Sequence, residues 1–188
     1  MTRAADIGRL AGLILAGGQS SRMGRDKALL EWQGETLLSR ARALLRSAGV
    51  DRVYVGGRTD QPDGLPDNQP HAGPARAILD AASLLHGRCD HMLVIPVDMP
   101  LLGPELLTPL LDANPGKARS WQDHPLPALI PVAACRALNS DDIHSIKRLL
   151  ARLDAETLAV APVRAGHADP FSNINTPDAL AMLDRISR

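Results

Sequence analysis

Apolar positions fall into short continuous runs that alternate with helical stripes along the chain. Residues 11–16 form an unbroken apolar run ending in Gly17-Gly18-Gln19-Ser20-Ser21, which predicts a buried strand leading into a loop. Over residues 34–49, Leu37, Leu38, Ala41, Leu44, Leu45 and Ala48 recur at helical spacing, with Gly49 as the stop. Residues 52–55 predict the next strand, so strand, helix and strand make a βαβ unit and imply a parallel pair. Residues 59–73 are rich in Pro, Asp, Gly, Gln and Asn without periodicity and predict an irregular surface connection. A helix over 74–86, an apolar strand over 91–96 and a helix over 104–111 opened by Pro104 follow. Strands over 128–132 and 158–161, with a helix over 142–153 between them, come next. Thr176 as N-cap, Pro177 at the first helical position and Asp178 in the first turn, then Leu180 and Leu183, predict a final helix. This alternation predicts an α/β fold, a three-layer αβα arrangement around a mostly parallel twisted sheet.

Composition narrows the function classes. The 188 residues suit one domain spanning positions 1–188. Lys and Arg number 21 and Asp and Glu 21, so the chain lacks the bulk positive field that nucleic acid or anionic lipid requires. The aromatic rings are Trp32, Tyr54, Trp121 and Phe171, too few and scattered for a single-strand stacking platform. Cys89 and Cys135 form no CxxC or zinc spacing and read as small buried hydrophobes in a reducing cytoplasm. The apolar stretch 10–16 after Arg9 imitates a signal segment but is far shorter than the ~20 residues that span a bilayer. No membrane or nucleic-acid partner is expected, and any anionic ligand must be held locally.

The densest chemistry lies in Leu15-Ala16-Gly17-Gly18-Gln19-Ser20-Ser21-Arg22-Met23-Gly24-Arg25-Asp26-Lys27, at the carboxyl end of the first strand. Ligands of open α/β sheets bind outside those ends. Glycines there let the backbone turn and bring its N–H groups close to phosphate oxygens. Arg22 and Lys27 add full charges, each worth about 4 kcal/mol against a phosphate ~4 Å away at an effective dielectric near 20, before desolvation. Neither the Walker A pattern nor GxGxxG is present, since Arg25 rather than Lys follows Gly24. The loop is a phosphate cradle of another design.

That loop closely resembles the signature of the MobA-like nucleotidyltransferases, and three further matches follow in order. Asp67 precedes Gly73-Pro74, Pro96-Val97-Asp98-Met99-Pro100 resembles an acidic metal-binding motif at a strand end, and Asn173-Ile174-Asn175-Thr176-Pro177 is similar to the family's C-terminal motif. The resemblance implies a Rossmann-like sheet of the nucleotide-diphospho-sugar transferase type. It implies that Leu15, Ala16, Gly17 and Gly18 line the nucleotide, that Arg22 and Lys27 face its phosphates, that Asp98 holds Mg²⁺, and that Asp67 helps bind a guanosine. Asn173 and Asn175, with His124-Pro125, would lie towards a pterin substrate. The last motif favours guanylyl over cytidylyl relatives, so the implied reaction passes GMP from Mg·GTP to the phosphate of molybdopterin. Passing contact with molybdoenzyme maturation proteins is implied in the same way. Gly56, where many relatives carry Asn, and Gly73-Pro74-Ala75-Arg76-Ala77, where they carry Gly-Pro-Leu-Ala-Gly, depart from the pattern and bear on base selectivity.

The same site follows from the chemistry of nucleotidyl transfer. A phosphate-monoester acceptor is mostly ionised at neutral pH, its second pKa being about 6, so no general base is strictly needed. The obstacle is repulsion between two anions and charge building on the leaving pyrophosphate, which calls for positioning and cations. Lys27, Arg22 and Asp98 make that set. Other readings stay open at the level of single residues: Asp98 also reads as a cap, Asp67 as plain surface, Asn173 and Asn175 as turn residues. A non-catalytic carrier retaining the fold would not need both Lys27 and Asp98. His71, His86, His91, His144 and His167 show no metal spacing, and Ser20 and Ser21 have no base beside them in sequence. With so few rings, guanine and pterin are expected to be read by backbone, Asp and Asn rather than by stacking.

Overall fold

A computed structural model describes residues 8–17, 26–69, 72–112, 116–160 and 168–174. The chain runs β1 (Leu10–Leu15), a 3₁₀ turn (Lys27–Leu29), the small hairpin β2 (Glu31–Trp32) and β3 (Glu35–Thr36), then α1 (Leu37–Ser47) and β4 (Arg52–Gly56). It continues with β5 (Gly64–Leu65), α2 (Pro74–Leu85), β6 (His91–Pro96), α3 (Pro104–Leu111), β7 (Arg119–Trp121) and β8 (His124–Pro131). α4 (Val132–Arg136), a second 3₁₀ turn (Ser140–Asp142), α5 (Ile146–Arg152) and β9 (Glu156–Leu158) follow. The main sheet has the order β5-β4-β1-β6-β8-β7-β9. β1 pairs in parallel with β4 and with β6, and β8 runs antiparallel to its neighbours β6 and β7.

Side chains alternate across each strand, so the sheet builds two cores. Leu93 and Ile95 of β6 and Ile14 of β1 join Leu37, Leu38, Ala41 and Leu45 of α1 and Leu106, Leu107 and Leu110 of α3 on one face. Met92 and Val94 of β6 and Leu13 of β1 join Ile78 and Ala82 of α2, Cys135 of α4 and Leu149 of α5 on the other. The expected three layers are therefore present. α1 sits so close to β1 that a Cβ added at Gly12 would stand 2.8 Å from Leu45 Cδ1.

Several boundaries differ from the sequence expectation. Thr36 accepts the Ser39 N–H and starts α1 three residues inside the periodic stretch, because the β2–β3 hairpin occupies what precedes it. The irregular connection over 59–73 contains the short strand β5, held against β4 by parallel pairing. The strand expected at 128–132 begins at His124 and ends at Pro131, and α4 takes Val132. The strand expected at 158–161 is instead β9, over Glu156–Leu158, because its partner β7 offers register at Arg119, Ser120 and Trp121. β7 itself carries no apolar run and escaped the pattern. The expected final helix, with Thr176, Pro177, Asp178, Leu180 and Leu183, lies outside the described residues.

At the carboxyl edge of the sheet the chain leaves β1 and β4 almost in contact. Gly57 has φ +74, and a Cβ there would lie 2.9 Å from the Cα of Gly17. A left-handed backbone and a neighbouring main chain both exclude a side chain. Gly57→Ala is expected to lower stability by on the order of 1–2 kcal/mol through the left-handed conformation, and by more from the clash. Chemical denaturation of wild type and variant measures this, and equal midpoints would show that the two strand ends are free to part.

Candidate active site

Parallel strands present their carboxyl ends together, and a cleft of about 760 Å³ opens there. Leu15 and Gly17 at the end of β1, Gly56 and Gly57 at the end of β4, and Pro96, Asp98 and Met99 at the end of β6 form its floor. Because β8 is antiparallel, its first residues reach the same edge, which is how His124 and Pro125 join the cleft. The strand ends are tied by the Val97 N–H donating to Leu15 O at 3.1 Å. The Ile174 N–H donates to Asp98 O at 2.8 Å, so the start of the C-terminal motif, residues 173 and 174, is brought to Asp98 and Asn173 lines the cleft.

The charged centre is Lys27 with Asp98. Lys27 Nζ lies 3.5 Å from Asp98 Oδ2, with both side chains about a quarter exposed at 22% and 24%. Lys27 begins a 3₁₀ turn whose N-cap is Asp26: Asp26 Oδ1 accepts from Ala28 N–H at 3.0 Å. The other oxygen of Asp26 accepts from Arg58 Nη1. Arg58 also grips Asp60 through Nε at 2.9 Å and Nη2 at 2.8 Å, a two-point pair. Hydrogen bonding to Asp60 raises the Arg58 pKa despite its partial burial, and Arg58 in turn holds the Asp60 carboxyl below the usual carboxylate range.

No group of three or more His, Cys, Asp or Glu among the described residues is arranged to hold a metal ion. A single carboxylate opening on the cleft nevertheless suits Mg²⁺, which binds through one or two carboxylates together with substrate phosphates rather than in an all-protein cage. Asp98 is so placed.

The wall towards β5 is built on α2. Gly73, with φ +92, turns the chain into Pro74, and this helix N-terminus, with its partial positive charge, lines the cleft. Asp67 also lines it, its Oδ1 accepting from Gln69 N–H at 3.2 Å. The adjacent residue is anchored by a buried acid: Asp80, 5% exposed, accepts from Asn68 N–H and from Arg76 Nε, each at 3.2 Å. Arg76, one of the departures from the family pattern, is thus a partner of the acid that holds the Asp67 loop. Gly56, the other departure, has room for a Cβ, at 3.6 Å from Leu13 Cδ1.

On the opposite wall the His124 imidazole stacks on Phe171, ring centroids 3.8 Å apart and 13° from parallel, and Trp121 meets Phe171 edge-on at 6.3 Å. The Trp121 indole N–H donates to Leu106 O at 3.0 Å. These rings pack on one another, and Phe171 is 5% exposed.

Of the residues singled out in the sequence, Leu15, Gly17, Asp67, Asp98 and Asn173 line one cleft, with Lys27 paired to Asp98. The side chain of Ala16 packs against the α1-side core instead, since neighbours along a strand point to opposite faces. Gly18, Arg22 and Asn175 lie outside the described residues, as do Ser20, Ser21, His71 and His167. His91 is buried at the other end of β6, and His86 and His144 are exposed. Arg58, Asp80 and Phe171 were not anticipated. The signal for Arg58 was available, a cation just past a Gly-Gly strand end in an α/β sheet, but Asp80 reads in sequence as an ordinary helix acid.

The chain is similar to known proteins in sequence and in fold. A protein of Xanthomonas euvesicatoria pv. vesicatoria named molybdenum cofactor guanylyltransferase is 36% identical over 181 residues, spanning 92% of this chain and 93% of that one. A nucleotidyl transferase from Methanothermobacter thermautotroptrophicus shares the fold at TM-score 0.70 and 21% identity, with 96% and 98% of the two chains covered. Molybdopterin-guanine dinucleotide biosynthesis protein A from Archaeoglobus fulgidus does so at TM-score 0.68 and 24% identity, with 94% and 98% covered. The model of the MobA-like NTP transferase domain matches residues 12–157, from β1 to β9 and across the whole cleft floor, and the chain belongs to that family.

Proposed function

We propose that this nucleotidyltransferase passes GMP from Mg·GTP to the phosphate of molybdopterin, releasing pyrophosphate and forming the guanine dinucleotide cofactor. The observation that carries the reading is Lys27 meeting Asp98 at 3.5 Å, with Asp98 on the floor of a cleft that also presents Asp67 and Asn173. It is supported by the 36% identity to a protein named for guanylyl transfer.

In this reaction an oxygen of the acceptor phosphate attacks the α-phosphorus of GTP. The bond from that phosphorus to the α–β bridging oxygen breaks, and pyrophosphate leaves with the electron pair. The acceptor is already an anion at neutral pH, so the chain need not supply a base. Its task is to hold two anions in line and offset the charge on the leaving group. Lys27 does this from beside Asp98, and Arg22 is the second cation that the loop sequence supplies. The backbone at Gly17 approaches the phosphates where a side chain would obstruct them, a role the loop sequence extends to Gly18, and the α2 N-terminus adds partial positive charge. Mg²⁺, when bound, supplies Lewis-acid neutralisation of the phosphates, and Asp98 is the residue to hold it. Asp67, an acceptor-only carboxylate, suits the N–H donors on the edge of guanine. Asn173 and His124, which line the cleft, are the groups to meet the acceptor, and the sequence motif alone adds Asn175.

The reaction belongs in the cytoplasm. No helix among the described residues is long and apolar enough to cross a membrane. Both cysteines are buried and free, and burial pushes the Cys135 thiol up to about 12, so it stays protonated and inert. Molybdoenzyme maturation proteins are the partners to which the product would pass.

Lys27→Ala is expected to cost on the order of 3 kcal/mol of transition-state stabilisation, as for one preorganised donor, read from the rate of pyrophosphate release. Wild-type turnover in that variant would remove Lys27 from the reaction. Asp98→Ala is expected to abolish the stimulation by Mg²⁺, and an unchanged metal titration would exclude Asp98 as the ligand. Competition binding with Mg²⁺ tests the base: GTP is expected to displace a bound probe at lower concentration than CTP or ATP. Preference for CTP would assign cytidylyl transfer instead.

A further inference from the structure

Arg58 lies outside the cleft lining yet touches the loop that delivers Lys27. Its guanidinium is largely buried, with 12% of the side chain exposed, and it joins two carboxylates at once. Towards β4 it holds Asp60 in a two-point pair at 2.8 and 2.9 Å. Towards the glycine-rich loop it donates to Asp26, the residue immediately before Lys27. Asp26 uses its other oxygen to cap the turn on which Lys27 sits. Lys27 in turn reaches Asp98, which lies on the floor of the cleft.

The geometry points to Arg58 as a positioning residue for nucleotidyl transfer: through Asp26 it locks the 3₁₀ turn so that the Lys27 ammonium is aimed at the phosphate chain. Three features make this more than a surface ion pair. Arg58 follows Gly57, whose main chain is pressed against Gly17, so the clamp is mounted where β4 and β1 are closest. Asp60 fixes the guanidinium from behind, which leaves the Asp26 contact little freedom to rotate. Asp26 is also committed twice, to Ala28 N–H and to Arg58, so losing Arg58 frees the cap carboxylate to swing and carries Lys27 with it. Misplacement of a catalytic group by about an ångström is enough to cost on the order of a hundredfold.

The inference rests on Lys27 acting on the phosphates, and the test separates the two. Turnover is measured for wild type, Arg58→Met, Lys27→Ala and the double variant, together with binding of GTP and of guanosine. Arg58→Met is expected to lower kcat/KM by on the order of tenfold or more in the wild-type background and by less than about twofold in the Lys27→Ala background, as groups acting as a unit do. GTP binding is expected to weaken in Arg58→Met while guanosine binding is unchanged, a distinction that general loosening of the fold would not produce. Asp26→Asn gives a second route if Arg58→Met folds poorly. Its side-chain oxygen still caps Ala28 while the charge facing Arg58 is gone, and the same dependence on Lys27 is expected. Equal losses in both backgrounds would overturn the clamp while leaving the site intact, and so would undiminished activity in Arg58→Met and Asp26→Asn. Full turnover in Lys27→Ala would overturn the reading of the site and the clamp with it.

Discussion

Because β1 pairs in parallel with β4 on one side and β6 on the other, three strands deliver their carboxyl ends to one edge of the sheet. Much of the candidate site among the described residues is attached to that edge. The glycine-rich loop leaves β1, Gly57 and Arg58 leave β4, and Asp98 leaves β6. The reversed strand β8 contributes from its opposite end, which is why residues separated by more than a hundred positions, such as Gly17 and His124, share one cleft. Apolar burial on both faces of β6 holds the arrangement, since Met92, Leu93 and Val94 are each fully inaccessible. The strand ends are positioned by the core, and the loops inherit that precision.

A neutral chain can serve anionic substrates because its charges are paired locally rather than summed. Lys27 is set against Asp98, Arg58 against Asp26 and Asp60, and Arg76 against buried Asp80. Each pair fixes a cation or a carboxylate in a half-buried setting where Coulomb interactions are less screened than in water. Buried pairs of this kind are weak evidence for stability, since desolvation offsets much of the attraction. Their value here is directional. They hold loops around a cleft whose ligand carries several negative charges.

The fold was legible wherever a strong period existed. The apolar runs of β1, β4 and β6 and the stripes of α1 and α2 stand out because each buries a whole face or both faces. α3 was marked to the residue by Pro104 and its leucines. β5, β7 and β9 were hidden or misplaced because two or three residues carry no period, and pairing with a neighbour rather than local preference makes them strands. The cleft was legible as a set of motifs, since glycines, a lysine and an acid after strand ends have few other uses. Asp80 was not, because its importance lies in a partner at position 68 that only folding brings near, and Arg58 was marked only as a cation past a glycine pair, its partner at position 26 being chosen by the fold.

The aromatic residues show the same division. Their scarcity was visible at once, and it argued that bases would be read by polar groups. Trp121 and Phe171 nevertheless lie together with His124 against the cleft, fifty residues apart in sequence for the first pair. By itself the sequence determined the class of fold and singled out the glycine-rich loop and Asp98 as candidates for the site, because backbone periodicity and residue chemistry are local properties. The tertiary structure decided which groups meet. Parallel pairing, the reversal of β8 and the anchoring of Ile174 on Asp98 are long-range contacts, and no local pattern encodes a distance across the sheet.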